Sequence, residues 1–236
     1  MRNFSLYLVI LCSFLSCKPS EEELFNEGVA RLEEQKFTEA VDYFDRVIAD
    51  NPENTSAHNA KGVALFEMEE WDKAISAFDA SIAIDSSSYK PFFNRGNAYL
   101  EKEEFTKAVI DYNYASGLDP QQVDIYYNRG LALLGLESYE DALIDFDMAL
   151  QANPNHPQAY FNKGKAQLGN NDPRGALESL TNTINLDKRN AAAFYLLGIT
   201  ELSAFEKKEE GCANLKMALS LGYAGAKEWT EKFCEN

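Results

Sequence analysis

Histidine is almost missing from this sequence, which has two, His58 and His156, in 236 residues. A His-based metal site or a metalloprotease centre therefore has little to be built from. Cysteine is scarce as well. The four, at 12, 17, 212 and 234, lack the paired spacing of a four-cysteine zinc site. No G-x-x-x-x-G-K-[ST] or G-x-G-x-x-G phosphate loop occurs, which removes the commonest nucleotide-dependent enzymes. Basic residues are in deficit, 22 against 38 acidic, for a formal net charge of −16. Such a chain repels phosphate backbones, so no nucleic-acid partner is expected. No nucleophile–base pair or paired carboxylates stand out, and neither enzyme activity, cofactor nor metal is expected. What is present is ordinary for a folded chain: 45% hydrophobic and 25% charged residues, enough for one large domain or two small ones.

The N-terminus reads as an address. Arg2 supplies a positive end, and an apolar run extends from Leu6 to Leu15. That run is shorter than the roughly 20 residues a spanning helix needs and suits the core of a signal peptide. It ends at Ser16-Cys17. A small residue directly before a Cys, after an apolar core, resembles the lipobox of bacterial lipoproteins. Phe14-Leu15 departs from the commoner pattern of Leu followed by a small residue, and Cys12 follows the bulky Leu11. The resemblance implies a signal peptide over 1–16, removed on maturation, and a lipid on Cys17. The linker 17–20 is short. At ~3.5 Å per residue it holds the folded part within about 10 Å of the anchor. The acidic Ser20-Glu21-Glu22-Glu23 stretch suits a first helical turn. It also resembles a short surface-export tag of some Gram-negative lipoproteins.

Gly28, Gly62, Gly96, Gly130, Gly164 and Gly198 lie 34 residues apart. Ala40, Ala74, Ala108, Ala142 and Ala176 stand twelve residues after the first five. Phe44, Phe78, Tyr112, Phe146 and Leu180 come four further on, and Pro52, Pro120 and Pro154 close three of the units. This pattern resembles the tetratricopeptide repeat family. The resemblance implies an all-α fold, an α-solenoid of six helix-turn-helix units at 21–54, 55–88, 89–122, 123–156, 157–190 and 191–224. Gly and Ala let paired helices approach, and the large residues fill the space between them. The sixth unit has one extra residue before Gly211, which stands in the place of Ala.

Beyond it, 225–236 predicts a capping helix, with Ala226, Trp229, Thr230, Phe233 and Cys234 on one face. Cys212 and Cys234 lie eleven residues either side of Tyr223, beside a turn expected at Gly222. Two antiparallel helices would bring them level. The sequence leaves open a structural disulfide and two separate buried thiols.

In this family the first helices line a concave groove. Asn94, Asn128 and Asn162, with Asn26, stand two residues before the repeat Gly, each preceded by an aromatic: Phe93, Tyr127, Phe161 and Phe25. A row of amides suits the backbone of an extended peptide, because each offers a donor and an acceptor. Packing between units is the other role open to both rows. The carboxylate clamp of some family members is not expected. Asn97, Asn128 and Asn162 match it, but Phe93 and Gln158 stand where basic residues are needed. Arg95 and Arg129 have Asp111 and Asp145 sixteen residues on, which predicts pairing inside a repeat rather than a basic row for an acidic tail.

Charge is uneven: the first unit has 11 acidic and 3 basic residues, the fifth 3 and 5. The expected protein is a non-enzymatic scaffold of the Gram-negative cell envelope. It would be anchored through its N-terminal lipid, at the outer membrane facing the periplasm or at the cell surface, and would hold a protein or extended peptide. The alternatives are a purely structural envelope component and an assembly factor that uses another face.

Overall fold

The computed structural model describes residues 18–235. The signal segment and Cys17 lie outside the described residues. Within them the chain forms thirteen helices and no strand: α1 Glu21–Glu33, α2 Phe37–Asp50, α3 Thr55–Glu67, α4 Trp71–Ile84, α5 Tyr89–Glu101, α6 Phe105–Leu118, α7 Val123–Gly135, α8 Tyr139–Ala152, α9 Pro157–Gly169, α10 Pro173–Leu186, α11 Ala191–Phe205, α12 Lys208–Ser220 and α13 Ala226–Phe233. Each helix packs on its neighbours in sequence, and the first twelve make six pairs. None is long and apolar enough to cross a membrane.

The 34-residue pattern has a steric cause. A Cβ placed on Gly28, Gly62, Gly96 or Gly130 would sit 2.4–2.8 Å from the ring of Phe44, Phe78, Tyr112 or Phe146. These four rings are fully buried, so they cannot swing aside. Only Gly lets the ring of the second helix lie against the backbone of the first. In the sixth pair the contact is backbone on backbone: the same Cβ on Gly198 would meet the Gly211 carbonyl oxygen at 2.8 Å. A Cβ on Gly211 would in turn meet Leu202 Cγ at 2.7 Å and the Gly198 carbonyl oxygen at 2.9 Å, which explains Gly in place of Ala there. The extra residue lengthens α11 and places Glu206 in its left-handed C-cap.

The turn inside each of the first five pairs has one design. The first helix ends, one residue turns left-handed, and the next amide reaches back to close the end. Lys36 N bonds Arg31 O at 2.8 Å, and Glu70, Glu104, Ser138 and Asp172 repeat the bond to Leu65, Tyr99, Leu133 and Gln167. The left-handed residues are Gln35, Glu69, Glu103, Glu137 and Asn171, with φ of 56–60°. Side-chain caps start many first helices. Ser20 and Glu23 form a capping box on α1, and Asn54, Ser88, His156 and Asn190 cap α3, α5, α9 and α11.

At the far end α13 lies on α12, with Ala226 in one buried cluster with Leu215 and Ala218. Trp229 and Phe233 stack on each other at 5.2 Å and are half-buried. The turn before α13 passes through Gly222 at φ +93°, a conformation that favours glycine. The sulfurs of Cys212 and Cys234 lie at bonding distance, 2.02 Å, with Cα atoms 5.5 Å apart.

Candidate functional site

Successive odd-numbered helices from α1 to α9 touch one another as well as their own partners. That puts them on the inner side of the curve, and their exposed surfaces form the concave face. Asn94, Asn128 and Asn162 are half-buried there, on α5, α7 and α9. Each amide bonds sideways to the preceding first helix. Asn94 Nδ2 donates to Asn59 Oδ1 at 3.0 Å, Asn128 Nδ2 to Asn97 Oδ1 at 2.9 Å, and Asn162 Nδ2 to the Tyr127 hydroxyl at 3.2 Å. Asn97 Oδ1 also accepts from the buried Tyr112 hydroxyl at 2.8 Å. The asparagine row therefore ties repeat to repeat. An asparagine amide has two N–H donors and a carbonyl oxygen, so one such bond leaves capacity for a second partner.

The aromatic row is half-buried and engaged in packing. Phe93 tilts against Tyr112 with ring centres 6.1 Å apart, and Tyr127 against Phe146 at the same separation. Tyr127 also lies 4.7 Å from the His156 ring. Burial raises the Tyr127 hydroxyl above the usual tyrosine range, opposed by the bond from Asn162. Phe161 packs on the cluster of Ala176, Leu180, Ala193 and Leu197. Of these rings Tyr127 also fixes an amide, by accepting the bond from Asn162.

The basic residues before the repeat glycines turn to the other side, between the even-numbered helices. Arg95 clasps Asp111 with two bonds, Nε to Oδ2 at 2.8 Å and Nη2 to Oδ1 at 2.6 Å. Arg129 holds Asp145 with two bonds of 2.7 Å. The bonds to Asp111 raise the Arg95 guanidinium further above its already high value. The expected pairing inside a repeat is thus present, and a second set runs one repeat back. Lys61 pairs with Asp45, Arg95 with Asp79, and Lys163 with Asp147, while Arg129 Nη1 bonds Asn113 Oδ1. Sequence reasoning missed this second set, although its spacing is also sixteen residues.

Two hollows open on the concave side near the N-terminal end. One, about 260 Å3, is lined by Phe25, Ser56, Asn59, Ala60, Pro91 and neighbouring polar groups at the start of α3 and α5 and the end of α4. The other, about 470 Å3, shares Phe25 and Ser56 and adds Glu21, Glu22 and Asn54. The second lies outside the central units that carry the uninterrupted asparagine and aromatic rows, and the first reaches only the start of the third unit, at Lys90 and Pro91. The signal in the sequence was the break itself: unit two has Asn59-Ala60 where its neighbours have Phe25-Asn26 and Phe93-Asn94.

The comparisons agree with this architecture. Residues 25–89 and 123–156 match the tetratricopeptide repeat, and 96–137 match the TPR repeat. No curated protein matches the sequence. Among solved structures, YrrB, a TPR protein with an unusual peptide-binding site, is 24% identical with a TM-score of 0.72, over 80% of this chain and 97% of its own. PilF of Pseudomonas aeruginosa is 19% identical with a TM-score of 0.74, over 90% and 97%. MamA of Desulfovibrio magneticus RS-1 is 17% identical with a TM-score of 0.68, over 71% and 94%. At these identities the likeness is one of fold. Repeat matches, helix pairs and the glycine-to-ring contacts together make this chain a tetratricopeptide-repeat protein.

Proposed function

We propose that this protein is a non-enzymatic scaffold that holds an extended segment of a partner protein along its concave face. The observation that carries the reading is the amide row: Asn94, Asn128 and Asn162 are spaced one repeat apart and fixed by bonds to the preceding helix. Groups fixed in advance lose little entropy on binding. An amide bond to a peptide backbone is worth about 1 kcal/mol net, so each contact changes affinity several-fold and a row of them makes a site. YrrB, of the same fold, has a peptide-binding site, which favours the same use here.

We further infer that the mature chain begins at a lipid-bearing Cys17 and sits in a bacterial cell envelope. The support is the order of Arg2, the apolar run and Ser16-Cys17. The first helix begins at Glu21, so the scaffold would lie close to the membrane.

One observation favours a second surface. Ile110 and Tyr114 on α6, and Ile144 and Met148 on α8, are 49%, 60%, 62% and 42% exposed on the outer side. Their counterparts are Ser76 and Ala80 in the second unit and Glu178 and Asn182 in the fifth. A partner docked there would make this a scaffold of the convex face.

The test is selection of random decapeptides on the purified chain, followed by titration against the Asn94→Ala, Asn128→Ala, Asn162→Ala triple variant, with circular dichroism as the folding control. Loss of binding by a variant that stays helical supports the concave face. Undiminished binding moves function to α6 and α8.

A further inference from the structure

The position three before the repeat glycine carries Phe25, Phe93, Tyr127, Phe161 and Tyr195 in five units, and Asn59 in the second. The next position has Asn26, Asn94, Asn128 and Asn162 in four units, but Ala60 in the second. Unit two alone presents two short side chains where the row otherwise has a ring, and the 260 Å3 hollow opens at that gap. We propose that this gap is a specificity pocket: it takes one aromatic side chain of an extended partner segment, whose basic residue two positions away lies against Phe25 and Glu22. The proposal rests on the concave-face reading above and names what that face selects.

Size and chemistry both fit. The hollow is smaller than the roughly 300–1,000 Å3 of small-molecule sites, which suits a single side chain. Phe25, Ala60 and Pro91 give it apolar walls, and the Ser56 and Ser88 hydroxyls are polar groups in its lining. Asp85 and Lys90 also line it and offset each other in charge. A nearly neutral hollow with apolar walls and polar lining groups matches a ring with a polar edge.

The adjoining hollow differs in charge. Glu21 Oε1 is already held by Asn51 Nδ2 at 2.9 Å and Asn54 Nδ2 at 2.7 Å. Glu22 is exposed beside it, and Phe25 walls both hollows. A Lys or Arg here meets a carboxylate and an aromatic face together. The surrounding unit, with 11 acidic and 3 basic residues, attracts the same charge. In an extended chain alternate side chains share a face about 6.6 Å apart, so residues two positions apart can enter adjacent hollows.

The chain itself supplies the test variant. Tyr127 occupies in unit four the place of Asn59, and its hydroxyl accepts from Asn162 as Asn59 accepts from Asn94. Asn59→Tyr therefore fills the hollow while keeping both the repeat pattern and an acceptor for Asn94. Random decapeptides selected on the purified wild-type chain should be enriched in an aromatic residue with Lys or Arg two positions away. Asn59→Tyr should weaken them about tenfold, and replacing their aromatic residue by Ala should cost as much in wild type but little more in Asn59→Tyr. Glu22→Lys should weaken them several-fold, less so at high salt. Peptides that lack the pair, or that bind Asn59→Tyr as well as wild type, would overturn the pocket. If such peptides still need Asn94, Asn128 and Asn162, the concave face stands without it. If no peptide is enriched, both fail.

Discussion

The Arg95 guanidinium closes on the Asp111 carboxylate through two hydrogen bonds, and the Asp111 side chain is 2% exposed. Each half of such a pair depends on the other. Arg95→Ala strands a buried charge and should cost about 3–5 kcal/mol. Lys163→Ala breaks a pair whose Asp147 is 60% exposed and should cost under about 1 kcal/mol. Urea denaturation of both variants checks this. Equal, small losses would show that the Arg95 pair does not hold the third unit together.

Gly96→Ala should destabilise by about 1–3 kcal/mol, because the new methyl would lie 2.8 Å from the buried Tyr112 ring. Gly117→Ala is the control. Nothing lies within 4 Å of its Cβ position in α6, so it should be neutral or stabilising by up to about 1 kcal/mol. Similar effects from the two would mean that close helix approach is not what the repeat glycine serves.

Glu103→Gly should raise stability modestly. A left-handed L-residue costs roughly 1–2 kcal/mol, against about 0.5–1 kcal/mol for the entropy of a glycine. Glu103 has φ 57° in a turn closed by backbone bonds. A thermal melt checks it; a clear loss would show that the Glu103 side chain contributes to the turn.

These three sites separate what the sequence disclosed from what it did not. The six glycines and their large partners were legible because close approach forbids a Cβ, and the restriction recurs at a fixed interval. The left-handed Gln35, Glu69, Glu103 and Glu137 were not, since long polar residues give no signal for positive φ. Asn94, Asn128 and Asn162 stood out as candidates, but their bonds to Asn59, Asn97 and Tyr127 depend on how far one repeat is turned against the next. The hollow beside Asn59 went unread because a repeat is found by its matches, and this cavity arises from a mismatch.

Reduction should destabilise the C-terminal end. The Cys212–Cys234 link closes a separation of 22 residues, worth about 3 kcal/mol in the chain-entropy account. Oxidised protein, denatured without reductant, should show no labelling at either cysteine. Labelling at both would remove the bridge from the account, leaving α13 to be held by its contacts with α12 alone.

Cys17→Ala should leave the protein unprocessed or release it from the membrane fraction. Migration and fractionation like wild type would contradict the lipid anchor.

Photocrosslinking tests concave-face binding most directly. A photoreactive side chain at Asp124 or Gln158 replaces an exposed residue of α7 or α9. These positions correspond in the repeat to Ser56 and Lys90 of the concave hollow. Ile144 and Met148 on α8 carry the same group on the outer side. With a selected decapeptide bound, crosslinks should form from 124 and 158 and not from 144 or 148. Crosslinks from 144 and 148 alone would contradict the account and place the partner on the convex face.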